Sequence, residues 1–389
     1  MASHGGLAEV LRSFGPAYLA THTLGPGVAK AWRAILACRT AALGGHLECC
    51  DECGAMRHVY HSCRNRHCPL CQTRAKEAWL SARRRELLPV PYFHLVFTLP
   101  HALNGLIARH PRVLYACLFA AVSSTLSEFA ANPRWLGGEP AFTLVLHTWQ
   151  QDLSRHVHAH ALMPGGALTA AGEWVDSKRG FLFPVKALSM VFRGKFIAAL
   201  EQERAKAGLR EDVALSDTAW RELKRQLYVH DWVVYAKQPL GGPAQVLEYL
   251  GRYTHRVAIS NERIVAIGEA AVAFRVRVNG EGGGKKRTVR LPGTEFIERF
   301  VQHVLPRGFK RIRHYGLLGA AHKSARLAAA RTALGAPQPQ PALIEPVAAF
   351  MQRVANIEWA ACPHCRLGQF KVLMGIAPQP RCQPSRGPP

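Results

Sequence analysis

The sequence predicts an α+β protein in which a small cysteine-rich module precedes a domain built on a mainly antiparallel central sheet flanked by helices. Three observations predict it. Strand-like segments such as YFHLVFTLP, beginning at Tyr92, are interspersed with helical segments without regular βαβ punctuation. Most cysteines crowd into one short stretch instead of spreading along the chain. Hydrophobic residues make up 48% of the 389 positions, enough to build cores for two or three domains.

In chain order, Leu7, Val10, Leu11 and Phe14 fall at helical spacing, and a second apolar helix follows from Ala31 to Cys38. A Cys/His-rich segment runs from His46 to Gln72, and its exit, TRAKEAWLSARRRELLP, is a basic helix ended by Pro89. After the strand at Tyr92 a long helix is expected from about Leu103 to Ala131. AFTLVLHTW, HVHAHALMP and DWVVYAK read as strands, and Val185–Ala207, Asp217–Leu227 and Ala244–Tyr253 as helices. RIVAIG, AFRVRV and KRTVRLP are short strands with EGGGKK as a hairpin tip. Ala336–Pro346 reads as a linker and the proline-rich end as a disordered tail. The expected divisions are residues 1–88, helical and zinc-binding; 89–320, the main domain; and 321–389, a C-terminal extension.

Lys and Arg number 50 against 26 Asp and Glu, a formal charge of +24. Such an excess points to a polyanionic partner, because neutralising phosphates releases condensed counterions. The N-terminus has no charged start followed by an apolar core, so a secretory signal is not expected. The longest apolar run, near Val113–Val122, falls short of the roughly 20 residues that span a bilayer. A soluble cytoplasmic protein with no membrane partner is expected. There is no GxxxxGK[ST] loop, so no nucleotide cofactor is expected either. In that compartment the 11 cysteines read as metal ligands and not as disulfides.

Cys50 and Cys53 form one CxxC pair and Cys68 and Cys71 another, and together they can present four thiolates to one structural Zn²⁺. Cys63 and His67 stand in reserve, with Cys49 and His46 also close in sequence. Arg57, His58, Arg64 and Arg66 between the pairs, and Arg74, Lys76 and Arg83 to Arg85 beyond them, make the module a candidate DNA-docking element. Four protein ligands would leave no open position for catalysis. A further CPHC, with Cys362 and Cys365, is half of a zinc site: either a remnant or a pair lying near the first module.

His156, His158 and His160 alternate along one expected strand, so their imidazoles share a face roughly 7 Å apart. A histidine pair completed by oxygen ligands and water suits Mg²⁺ or Mn²⁺ holding a phosphodiester. Tyr249 and Tyr253 lie four apart on an expected helix and share a face, with Glu248, Arg252, His255 and Arg256 around them.

This combination resembles the HUH superfamily of single-strand endonucleases, and more closely the two-tyrosine rolling-circle transposases of the insertion-sequence-ninety-one type. The matching pieces are CxxCG, SCRNRHCPLCQ, HTWQQDLSRHVHAHALMPGGAL, EYLGRYTHRVAIS and FKRIRHYGLLG, in the family's order over about residues 45 to 320. The resemblance implies an HUH-type catalytic domain in which His158 and His160 bind the metal and Tyr249 and Tyr253 are nucleophiles. Val157 stands where the family often has proline, which leaves His156/His158 as an alternative pair. A third ligand is to be sought among Gln150, Gln151, His147, Glu248 and His255. The implied enzyme nicks and rejoins DNA, chiefly the single-stranded ends of its own element, through 5′-phosphotyrosine links with Mg²⁺ or Mn²⁺. Arg252 and Arg256 would bind flanking phosphates, and Arg311 and Arg313, with His314 and Tyr315, would form a second DNA surface. The implied setting is bacterial cytoplasm, at the nucleoid when bound. A plasmid relaxase or replication initiator of the same chemistry, or a catalytically dead zinc-dependent DNA-binding protein, are the alternative readings.

Overall fold

The computed structural model describes residues 5–178, 180–206, 209, 212–240, 245–246, 251, 258–277, 286–339, 349, 352 and 361–379. The chain opens with helices α1 (Leu7–Thr21) and α2 (Pro26–Ala37), then the hairpin β1 (Gly45–Cys50) and β2 (Met56–Tyr60), then helix α3 (Gln72–Arg84). Strand β3 (Tyr92–Thr98) leads through α4 (Asn104–Arg109) and α5 (Pro111–Ala131) to β4 (Glu139–Trp149), β5 (Arg155–Pro164), β6 (Gly166–Leu168) and β7 (Trp174–Asp176). Next come α6 (Val185–Arg204), α7 (Asp217–Val229) and β8 (Val234–Leu240). Strands β9 (Ile264–Ile267), β10 (Ala271–Arg277) and β11 (Lys286–Pro292) precede α8 (Gly293–Val301), and β12 (Ile312–Gly316), α9 (Lys323–Ala333) and β13 (Phe370–Ile376) complete the described elements.

The central sheet has the order β7-β6-β4-β5-β3-β8, with β12 also paired to β4. Its pairings are antiparallel, as the interspersed pattern predicted. Strand alternation gives the sheet two unlike faces. Phe93, Leu95 and Phe97 of β3, Phe142, Leu144 and Leu146 of β4, and Val157, Ala159 and Ala161 of β5 share one buried cluster with α5 and α6. Phe97 meets Phe192 of α6 edge to face at 5.2 Å. Each large side chain buried here contributes about 1.5–3 kcal/mol. The opposite face carries His158 and His160.

Helix α5 is apolar and long enough to cross a membrane by composition alone. Its Leu114, Leu118, Phe119, Val122 and Leu126 are instead fully buried in the core under the sheet. The single helix expected from Leu103 to Ala131 is two helices. Pro111 lacks an N–H and bars the preceding residue from helical geometry, so His110 adopts φ −123°, ψ 51° between α4 and α5.

The sequence divisions are interleaved in space. Helices α1 and α2 pack with Cys38 and Cys68, and Cys63 and Cys71 lie against the same core. The two helices form this second core with β10, α8 and Ile259, and a side-chain carbon at Gly293 would fall 2.1 Å from the Phe14 ring. Strand β13, within the expected extension, pairs antiparallel with β1 in a three-stranded sheet ordered β13-β1-β2. The linker residues 340–346 and the tail beyond Gln379 lie outside the described residues.

Candidate functional site

The histidines gather at one end of the central sheet. His147 of β4 lies directly across the ladder from His158 of β5, and ring nitrogens of His147, His158 and His160 all fall within 4.8 Å of one another. His160 Nε2 is 3.1 Å from His147 Nδ1, close to the spacing of about 3 Å between adjacent ligands of an octahedral Mg²⁺ with bonds of about 2.1 Å. His158 donates from Nδ1 to the carbonyl of His156 at 2.9 Å, which leaves its Nε2 lone pair available. Burial, with His156 beside it, lowers the His158 pKa to about 4, so the imidazole is neutral and able to ligate at physiological pH. His156 is not part of the triad: its Nδ1 sits 3.1 Å from His101 Nε2 near the start of β5. Of the two pairings the sequence left open, the geometry joins His158 with His160, and the cross-strand neighbour is His147.

Two features hold this end rigid. His94, buried on β3, places Nε2 2.8 Å from Nδ1 of His160; with His160 as donor, its Nε2 is the nitrogen that could hold a metal. The β4–β5 connection turns through Leu153, whose φ of +66° is rare for a branched side chain. Surroundings enforce it: Leu153 is wholly buried, and its carbonyl accepts from Gln302 Nε2 at 3.0 Å and His303 Nε2 at 2.9 Å. His303 also meets Thr148 Oγ1 through Nδ1 at 3.1 Å, anchoring the residue next to His147. Sequence reading missed His94 and His303; no periodicity in their own segments links them to the triad.

Tyr249, Tyr253, Arg252 and Arg256, as well as Glu248 and His255, lie outside the described residues. Val246 and Gly251 are the described residues nearest Tyr249 in sequence. Val246 is fully buried with Leu162, two residues beyond His160 on the same face of β5. A side chain at Gly251 would meet Lys76 and Leu80 of α3.

The cysteines do not assemble as expected. Cys50 and Cys53 do not share a site with Cys68 and Cys71. Sulfurs of Cys38, Cys63, Cys68 and Cys71 form one group, and those of Cys50, Cys53, Cys362 and Cys365 another. In the first, Cys38–Cys71 and Cys63–Cys71 are each 3.6 Å apart. Four ligands about 2.3 Å from a central Zn²⁺ define a tetrahedron with edges of about 3.8 Å, so the donor set fits zinc. Contact with the thiols of Cys63 and Cys68 pulls the Cys38 thiol below its ordinary pKa, and Cys38 in turn raises those of Cys63 and Cys68. Cys38 was missed because it stands alone, with no partner at local spacing. His67 is outside both groups: it accepts from Arg66 Nε at 3.3 Å, and burial lowers its pKa to about 3. His46 pairs with Glu48 at 2.9 Å.

Several arginines expected at DNA make contacts within the protein. Arg66 donates to the carbonyls of Phe309, Pro306 and Leu305. Arg83 donates to His314 at 2.8 Å and pairs with Glu86 at 2.9 Å. Arg313 lies over the Phe119 ring at 4.3 Å, on the α5 side of the sheet and away from the triad. Arg311 lines a small pocket with His67, Trp149 and His303, and burial there lowers its pKa to about 10.

Two groups of four cysteines and a face of the antiparallel sheet that gathers three histidines are each able to hold a metal ion. Residues 141–326 match the family described as "Putative transposase", and residues 10–99 match the "Transposase zinc-binding domain" of IS91 type. The chain is 43% identical over 388 residues to "Putative transposase y4qJ" of Sinorhizobium fredii, covering 97% of each. It is 26% identical over 293 residues, 73% of this chain and 68% of the relative, to the transposase for insertion sequence element IS801 of Pseudomonas savastanoi pv. phaseolicola. No solved structure matches. The protein is a transposase. It belongs to the IS91-type family, with an N-terminal zinc-binding domain.

Proposed function

We propose that this transposase cuts and rejoins single-stranded DNA of its own element, using Tyr249 and Tyr253 as nucleophiles beside a divalent ion held by His147, His158 and His160. The observation that carries the proposal is the convergence of these three imidazoles within 4.8 Å on one face of the sheet. Bound there, Mg²⁺ or Mn²⁺ would polarise the non-bridging oxygens of a phosphodiester and ease departure of the 3′ oxygen.

The tyrosine chemistry is conservative in bonds. A phenolic oxygen forms a bond to phosphorus as the bond from phosphorus to the 3′ oxygen breaks; the phenol loses its proton and the 3′ oxygen gains one. The product is a 5′-phosphotyrosine and a free 3′-OH. Attack by a 3′-OH reverses the step, so no nucleotide need be consumed. A phenol with a reference pKa near 10 needs local help to ionise, which is a reason to keep it close to cationic groups. Val246, three residues before Tyr249 in sequence, is buried in the same cluster as Leu162, which follows His160 by two on β5. Arg252 and Arg256, beside Tyr253 in sequence, are proposed to hold flanking phosphates, and the +24 charge supports DNA as the partner.

The test is to incubate the protein with Mn²⁺ and an oligonucleotide from the end of its element, then map any covalently linked peptide by mass spectrometry. Adducts on Tyr249 and Tyr253 are expected, each lost on its own Tyr→Phe change and both lost in the double variant. Nicking without any tyrosine adduct would overturn the proposal.

A further inference from the structure

We infer that Cys50, Cys53, Cys362 and Cys365 form a second structural zinc site, which fastens the C-terminal strand β13 to the N-terminal hairpin. Half of its ligands lie outside residues 10–99, the span of the matched zinc-binding domain. The sulfurs of Cys50 and Cys365 are 3.7 Å apart, as are those of Cys53 and Cys362. That is the edge of a tetrahedron around a zinc ion with Zn–S bonds of about 2.3 Å. It is far from a disulfide, which needs about 2.05 Å.

The two halves of the site are built alike. The N–H of Gly54 donates to the carbonyl of Cys50 at 3.1 Å, and the N–H of Arg366 donates to the carbonyl of Cys362 at 2.8 Å. In each half the residue after the second cysteine is left-handed, with φ +69° at Gly54 and +61° at Arg366. Arginine adopts that conformation only at a cost, so the turn at Cys362–Arg366 is held against its own preference. The N–H of Gly368 points to Cys365 Sγ at 3.4 Å, a polar contact that favours a thiolate. Beside the sulfurs, Asp51 Oδ1 accepts from the N–H of Gln369 at 2.7 Å, and Asp51 Oδ2 pairs with Lys371 Nζ at 3.0 Å.

Apart from the sulfurs, β13 is held by its ladder to β1 and by Arg57 over the Phe370 ring at 3.8 Å. Val372, Leu373 and Met374 are 62%, 59% and 58% exposed, so its ladder to β1 is not backed by a hydrophobic core. Small sheets without a core are marginal in water and commonly depend on a metal or a covalent staple. A tetrathiolate ion at the end of the ladder supplies that staple.

The site makes no demand on the catalytic reading and can be tested separately. Full-length protein purified without chelator should contain two zinc ions per chain by elemental analysis. Cys362→Ser with Cys365→Ser should leave one, with helical circular dichroism unchanged and amide exchange across residues 370–376 faster by about a hundredfold. Gly368→Ala is a second variant that removes no ligand: its added carbon would lie 2.6 Å from Cys50 Sγ, so the same single zinc should be lost or bound more weakly. One zinc in the unmodified protein, two retained in the double-serine variant, or disulfides joining these cysteines in freshly isolated protein would each overturn the inference.

Discussion

At the scale of single residues, the triad separates histidines that the sequence presents as equals. His147→Ala is expected to reduce metal-dependent cleavage as severely as His158→Ala, by about a hundredfold or more, whereas His156→Ala leaves it within a few-fold. Single-turnover cleavage of a labelled strand checks this, and equal losses for His156 and His147 would contradict it. His94 touches His160 and not the open side of the triad, so it is a positioning residue. His94→Ala should weaken Mn²⁺ binding by about 10- to 100-fold without abolishing DNA binding, and His94→Gln, which can still accept from His160 Nδ1, should restore part of it. Metal titration by calorimetry would show both. Period-two spacing made the β5 histidines legible. His147 was only one name among five candidates, because the register that sets it opposite His158 is a property of strand pairing and is not written in either strand alone.

At the scale of elements, α1 docks against α8 where only glycine fits: Gly293 faces the ring of Phe14. Gly293→Val should cost about 1–3 kcal/mol by overpacking and lower the melting temperature by several degrees, while Gly25→Ala, in open space, should not. The strands β3, β4, β5, β8, β9, β10 and β11 were readable from alternation and β-branching. The hairpin β1–β2 was not, since in GHLECC and MRHVY metal-ligand and polar residues displace the usual pattern. His314 on β12 ties that sheet to α3: Thr143 Oγ1 lies 2.8 Å from its Nδ1 and Arg83 donates to its Nε2 at 2.8 Å. Burial, then Arg83 and Lys323, lowers its pKa to about 4, and burial does the same for His303. An unfolded histidine titrates near 6.5, so between about pH 6.5 and 4 the unfolded chain binds protons that the folded chain refuses. Stability from these sites is complete above pH 6.5 and falls as pH drops toward 4. The melting temperature should fall across that window, and His314→Gln should make the fall shallower.

At the scale of the whole molecule, a charge of +24 implies that affinity for DNA is dominated by counterion release. Raising salt from 50 to 200 mM should weaken binding by about a hundredfold or more if six or more phosphates are neutralised; fluorescence anisotropy giving a flat dependence would remove that argument. Composition made this legible, and local spacing showed that the cysteines bind metal. Which cysteines belong together was hidden, because Cys38 and the Cys362–Cys365 pair reach their partners only through the fold. The pairing of β13 with β1 also bears on synthesis. A ribosome moving at about 5–20 residues per second takes on the order of 15–60 s to pass from β1 to β13. Throughout that interval β1 emerges with one edge unpaired and two sulfurs awaiting partners, so a message cut short before Cys362 yields a chain whose sticky strand is never covered. An open strand edge is a template for pairing with other chains, and β13 covers the one that β1 would otherwise present.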